Sequence, residues 1–186
     1  MTGPEYVFGY GSLVEAAGQA GHAIRGELVH ALDYRRNWSV AMENGRDIPG
    51  YKYYLDSKDG TRPDVVVVFL NIVRCTGARV NGLVREVARA ELIELDSRER
   101  NYSRTDISAH IAPPLEGTVW AYIGAPDAEE RFQKGLAEQR AVIERQYCEG
   151  VKRQFAALGK QALREYENRT DVVPCPIRDL MRVASN

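Results

Sequence analysis

The run Val65-Val66-Val67-Val68-Phe69-Leu70 constrains this chain most. It is apolar on both faces of a pleated strand, so it predicts a central strand buried on both sides. Asp59-Gly60 and Pro63 break the chain just before it. The whole apolar stretch, Val65 to Val73, is far too short to cross a bilayer.

Other strands surround it in sequence. Glu5 to Phe8 is a short aromatic and β-branched strand ending at Gly9. Leu28 to Tyr34, Asn37 to Met42, Tyr51 to Leu55, Val80 to Val87, Ser103 to Ile111 and Thr118 to Ile123 read the same way. Asn44-Gly45 and Pro49-Gly50 mark turns within Glu43 to Gly50. Gly82 interrupts its strand, which predicts a close neighbour or a bulge. Ala88 to Arg98 changes period: Leu92 and Leu95 share one side, and a helix of about three turns follows. Asp127 predicts the start of a long helix, with Glu130 at its capping-box position. Its apolar face runs through Phe132, Leu136, Ile143, Tyr147, Val151, Phe155 and Leu158, and Gly159 stops it.

The elements do not alternate as βαβ units. The expected fold is α+β: a small mixed β-barrel or strongly curved sheet with flanking helices. All 186 residues form one domain in this reading. The barrel core covers about 5–124, the long helix about 127–160 and an irregular tail with Pro174 and Pro176 about 171–186. A formal net charge of −1 gives no reason to expect nucleic acid or an anionic membrane as partner. The first residues lack a basic segment followed by an apolar run, so no secretory signal is expected. Three widely spaced cysteines, Cys75, Cys148 and Cys175, point to reduced thiols and a cytoplasmic protein. His22, His30 and His110 form no metal-binding spacing, so no metal is expected.

Two segments carry chemistry. In the first, the strand ending at Phe8 runs into Gly9-Tyr10-Gly11-Ser12-Leu13. Val14 stands where a dinucleotide fingerprint needs its third glycine, and no glycine follows Ser12 as a nucleophile elbow requires. What remains is a turn whose consecutive N–H groups can hold a carboxylate or a developing oxyanion. The second segment is Leu95-Asp96-Ser97-Arg98-Glu99. Glu99 follows Leu95 by four and Leu92 by seven, so it leaves the helix on the buried face. Partial burial and the negative helix end both disfavour its charged form, which suits a group that takes and returns a proton. Arg98, Arg100 and Arg104 stand close in sequence and oppose that tendency. Asp96 lies off the buried face or caps locally.

Tyr10-Gly11-Ser12-Leu13 after a strand resembles the N-terminal YGS loop of the gamma-glutamylcyclotransferase superfamily. Leu95-Asp96-Ser97-Arg98-Glu99 resembles its LDxxE segment, whose glutamate is catalytic. Gly82-Leu83 resembles the family's G-V/L position, and Tyr102 the tyrosine after that glutamate. The helix with Tyr147 and the run Tyr166-Glu167-Asn168-Arg169-Thr170 are similar to the C-terminal helical part of some bacterial members.

The resemblance implies a cofactor-free acyl transfer on a small γ-glutamyl substrate. The substrate's α-amine attacks its own γ-carbonyl, giving 5-oxoproline and a free amine or amino acid. It implies Glu99 as general base and acid, with Tyr10, Gly11, Ser12, Leu13 and Tyr102 binding substrate. Two departures are the long aromatic and basic segment Asn37 to Arg62, a lid or a hairpin, and the ending Arg98-Glu99-Arg100-Asn101-Tyr102. A binding domain on the same fold, or an amidase or acyltransferase using the same carboxylate, are the alternatives.

Overall fold

The computed structural model describes residues 3–17, 26–46 and 49–184. Its elements are β1 (Glu5–Gly9), β2 (Glu27–Glu43), β3 (Lys52–Asp56), β4 (Val66–Glu86), α1 (Arg89–Arg98), β5 (Tyr102–Asp106), β6 (Ile111–Ala112) and β7 (Thr118–Gly124). α2 (Pro126–Ala137), β8 (Ala141–Glu144), α3 (Arg145–Ala157), α4 (Lys160–Asn168), β9 (Ile177–Arg178) and β10 (Leu180–Ala184) follow. His22, which the sequence reading named, lies outside the described residues.

The expected α+β fold with a strongly curved sheet is what forms. The sheet runs in the order β5-β7-β1-β4-β2-β6, with β8 also on β4 and β9 on β8. The valine run lies in β4 as expected, and Val66, Val67 and Val68 are buried. β4 is longer than that run because it and β2 form one antiparallel ribbon that bends. The register slips between Leu32 and Tyr34 and again between Trp38 and Val40. At the first slip Asp33 has φ 60°, and its carboxylate accepts the Gly77 N–H at 2.8 Å. Such bulges bend and twist a ribbon. The two strands expected at Leu28–Tyr34 and Asn37–Met42 are therefore the two limbs of β2. Val65–Leu70 and Val80–Val87 are likewise limbs of β4.

Three expectations fail in the second half. The long helix over 127–160 is two helices with a strand between them. Gln139 adopts φ 56°, in the left-handed region, and turns the chain after α2. Ala141–Glu144, wholly buried, then runs parallel to Val66 and Val67 as β8. Ile143 falls in phase with the helical faces on either side, so the apolar spacing hides the strand. Glu144 restarts the helix: its carboxylate accepts the N–H groups of Gln146 at 2.6 Å and Tyr147 at 2.5 Å. Gly159, with φ 113°, does end α3. The Glu130 capping box does not form either. α2 begins at Pro126 after Ala125 without a side-chain cap, because proline suits a first position whose N–H would be orphaned.

The tail is also ordered, against expectation. β9 pairs with β8, and β10 pairs antiparallel with β3 to make a separate two-stranded ribbon. Pro174 and Pro176 precede these pairs, so they remove no ladder donor. Leu180 is buried beneath the ribbon with Tyr54, Val67 and Phe69.

Helices α3 and α4 cover the main core. Arg36, wholly buried, lies 5.0 Å over the Phe155 ring and 4.9 Å over the Tyr166 ring. It also donates to Asn81 and to Thr170 Oγ1, so one cation ties both helices to the ribbon. Burial pulls its guanidinium down to about 10.

Gly82 has the close neighbour expected of it. A Cβ there would lie 2.5 Å from the Phe8 ring and 2.6 Å from the Gly9 carbonyl oxygen. Gly82→Ala should destabilise the protein by about 1–3 kcal/mol through overpacking, read from urea unfolding. A loss below about 0.5 kcal/mol would show that β1 and β4 yield at this crossing.

Candidate active site

The glycine turn is shaped by contact. A Cβ on Gly9 would sit 2.8 Å from the Leu13 carbonyl carbon and 2.9 Å from the Val14 nitrogen, so only glycine lets the chain fold back here. Ser12–Ala17 then form a 3₁₀ turn whose first bond runs from the Val14 N–H to the Gly11 carbonyl at 3.1 Å. The N–H groups of Ser12 and Leu13 precede that bond, at the open end of the turn.

α1 brings the carboxylate. Leu92 and Leu95 are buried against Val7, Leu13, Val87 and Tyr122, which fixes the helix to the back of β1 and β7. Burial of each leucine contributes about 2 kcal/mol. The Glu99 N–H still bonds the Leu95 carbonyl at 2.8 Å, but its ψ of 47° ends the helix. Its side chain is 16% exposed and meets the Arg98 Nε at 3.1 Å. Asp96 points elsewhere. It accepts the Tyr122 hydroxyl at 2.8 Å and pairs with Arg104 at 3.4 Å, linking α1 to β7 and β5.

One open pocket receives the turn and Glu99. Tyr10, Gly11, Ser12 and Leu13 line it from the turn, with Glu99 and Tyr102 alongside. The structure thus brings together every site residue named from the sequence. It adds Leu70, Tyr122 and Tyr147. In the sequence Tyr147 belongs to an apolar helix stripe, and nothing in its spacing separates a cavity wall from a core contact.

These tyrosines have a common task. β4 pairs with β8 at Val66 and Val67 and with β1 only from Leu83 onward. Between them, Leu70 turns its N–H and C=O away from β2. The N–H donates to the Tyr147 hydroxyl at 3.2 Å, and the carbonyl accepts from the Tyr102 hydroxyl at 2.8 Å. Tyr10 donates to the Tyr122 carbonyl. The protons of Tyr10 and Tyr102 are therefore engaged by backbone carbonyls, whereas Tyr147 accepts and Tyr122 donates to Asp96. Burial, and then the neighbouring Tyr147, pushes the Tyr10 and Tyr102 hydroxyls well above the usual phenol range. Glu99 is the one carboxylate among the residues lining this cavity.

The segment from Asn37 to Arg62 divides. Trp38 is core in β2, while Tyr51 packs in one cluster with Tyr54 of β3 and the cavity-lining Tyr102 and Tyr147. Asn101 donates to the Tyr51 hydroxyl at 3.0 Å. Burial pushes Tyr51 up to about 12, helped by Glu99. Among the described residues no cluster of three histidine, cysteine or acidic side chains could hold a metal ion, and no helix is long and apolar enough to cross a membrane.

Removing the Tyr147 hydroxyl leaves the Leu70 N–H without its partner. Tyr147→Phe should cost about 1–3 kcal/mol in chemical unfolding, and a change below about 0.3 kcal/mol would show that water replaces the hydroxyl. The raised phenols also predict a pH response. They stay protonated in the fold at a pH where the unfolded chain ionises near 10, so the unfolded state binds fewer protons there. Stability should then fall as pH rises above 10, and these tyrosines should stay silent in a 295 nm titration until the protein unfolds. A full tyrosine titration in the folded protein would contradict this.

The family model described as "Gamma-glutamyl cyclotransferase, AIG2-like" matches residues 7–140. No curated protein matches the chain. Among solved structures, it is similar to one titled gamma-glutamyl cyclotransferase, with 16% identity and a TM-score of 0.40, covering 72% of this chain and 78% of that one. An uncharacterized protein from Homo sapiens gives 16% identity and a TM-score of 0.41, covering 74% of this chain and 80% of that one. YkqA from Bacillus subtilis gives 15% identity and a TM-score of 0.45, covering 84% of this chain and 56% of that one.

Proposed function

Because the chain belongs to the gamma-glutamyl cyclotransferase, AIG2-like family, we propose that it cyclises a γ-glutamyl group to 5-oxoproline, with Glu99 as general base and acid. One observation carries the reading: Glu99 is the one carboxylate among the residues lining the cavity that the Gly11-Ser12-Leu13 turn also lines.

The reaction needs little from the protein. Glu99 takes a proton from the substrate's α-ammonium. The freed amine attacks the γ-carbonyl carbon, a C–N bond forms, and the carbonyl oxygen gains negative charge. The N–H groups at the open end of the turn are suited to that oxyanion. The amide C–N bond then breaks, Glu99 returns its proton to the departing amine, and that amine also takes up the second proton of the attacking nitrogen and leaves as an ammonium. No water is consumed and no cofactor takes part. Attack within one molecule gains from being held in a near-attack shape, which a small walled cavity favours. Tyr10 and Tyr102 contribute walls and fixed geometry, since their protons are committed to carbonyls. The partner in this reading is a small γ-glutamyl compound. Three cysteines without a disulfide among them support a cytoplasmic location.

The Arg98–Glu99 contact at 3.1 Å favours a second reading, a binding domain that holds an acidic metabolite. Arg98 is largely exposed, however, so solvent screens that pair, and Glu99 still faces the turn's cavity.

The test is 5-oxoproline release from γ-glutamyl dipeptides, γ-glutamyl-lysine and glutathione. Glu99→Gln should lower turnover about 10²–10⁴-fold, the range expected for a lost general base, with an unchanged melting temperature. Equal turnover in the variant would remove Glu99 from the mechanism. Glutamate in place of 5-oxoproline would establish an amidase.

A further inference from the structure

Lys52 opens β3, on the same strand face as the buried Tyr54. Its ammonium lies 4.4 Å over the Phe69 ring and 5.6 Å from the Tyr51 ring. Phe69 in turn meets Tyr147 edge to face at 5.1 Å, and Tyr147 lines the cavity. Lys52 thus stands one ring behind the cavity wall. Among the described residues no carboxylate pairs with it. Arg100, 5.4 Å from the Tyr51 ring and donating to the Ser97 and Pro49 carbonyls, and Arg182 on β10 also lack a carboxylate partner among the described residues.

An aromatic face can hold an ammonium without neutralising it. The charge therefore remains available, in partial burial, where an unpaired cation is costly. Burial, then Arg182 and Arg98, pull Lys52 down to about 8, against the opposing pull of Glu99. Arg131 and Arg182 add positive charge on this side, Glu99 and Glu144 are carboxylates that act on it, and Arg98 is already paired with Glu99. Lys52 itself has no carboxylate partner among the described residues.

Resting on the cyclotransferase reading, we propose that Lys52 is a specificity-determining residue that binds a substrate carboxylate beside the Glu99 cavity. Two carboxylates have this chemistry. One is the α-carboxylate of the γ-glutamyl group, and the other is that of an amino acid on the leaving side. A neutral or cationic leaving amine gains nothing from Lys52.

The experiment is calorimetric binding in the Glu99→Gln background, where turnover does not intrude. The probes are γ-glutamyl-alanine and γ-glutamyl-ethylamide, which differ by the leaving-side carboxylate. Lys52→Met, which keeps an apolar stem over Phe69, should weaken binding by at least about tenfold, the loss of one charge-assisted contact. Lys52→Arg should retain most of it. Loss confined to γ-glutamyl-alanine assigns the leaving-side carboxylate, and equal loss on both assigns the α-carboxylate. Affinity should also fall with rising pH with lysine present, starting below 8 because Glu99→Gln removes the charge that holds the Lys52 ammonium up, and should hold with arginine. Unchanged affinity for both probes in Lys52→Met overturns the proposal and leaves Lys52 a packing residue. Binding of neither probe to any of these proteins overturns it together with the cyclotransferase reading. Lysine-dependent binding in a protein that releases no 5-oxoproline sinks turnover alone. Should Lys52→Met lower the melting temperature, Lys52→Gln carries the same comparison.

Discussion

Every backbone N–H and C=O that leaves water needs a partner, and β4 shows how much follows from that rule. One edge of this long strand is occupied by β2 along its length. The other edge is shared by two short partners, β8 near its start and β1 near its end. Neither reaches Leu70. There the sheet meets its obligation with tyrosine hydroxyls from β5 and α3. The gap in the sheet, the ring of tyrosines and the cavity are therefore one feature. Closing the sheet with another strand would satisfy the same groups and fill the space.

The electrostatics follow from the same arrangement. Phenols whose protons are held by carbonyls, and whose ionisation burial disfavours, make walls that are polar yet inert. Among the residues lining that cavity, Glu99 is the one carboxylate. Its helix ends at that residue, because Leu92 and Leu95 commit the last turn to the core while ψ at Glu99 departs from helical values. The position of the carboxylate is thus set by apolar contacts on the opposite side of the helix.

Much of this is legible in the residues. Leu92, Leu95 and Glu99 announce both the helix and the side from which the carboxylate emerges. Gly9 and Gly82 announce close approaches, since each would collide with backbone or a ring if it carried a Cβ. The valine run announces a strand covered on both faces. The second half is less legible for a physical reason. Ala141-Val142-Ile143 has the residues of a strand but sits in phase with a helical stripe, and only the pairing with Val66 and Val67 decides. That pairing joins residues some 75 apart, so no local pattern contains it. The same holds for β10, whose partner β3 lies more than a hundred residues earlier. Nothing local marks Tyr147 and Leu70 as cavity residues, because their bond is also long-range.

The match to the family ends at residue 140, but the walls of the cavity do not. Tyr147 comes from α3, and the ribbon that carries Lys52 is completed by β10. The stretch that holds the turn and the carboxylate is thus separate in sequence from the stretch that finishes the enclosure. Such a division lets the two diverge at different rates. Changes beyond residue 140 can reshape the cavity while the turn and Glu99 stay where β1 and α1 put them, so chains alike in their first three quarters need not share a ligand.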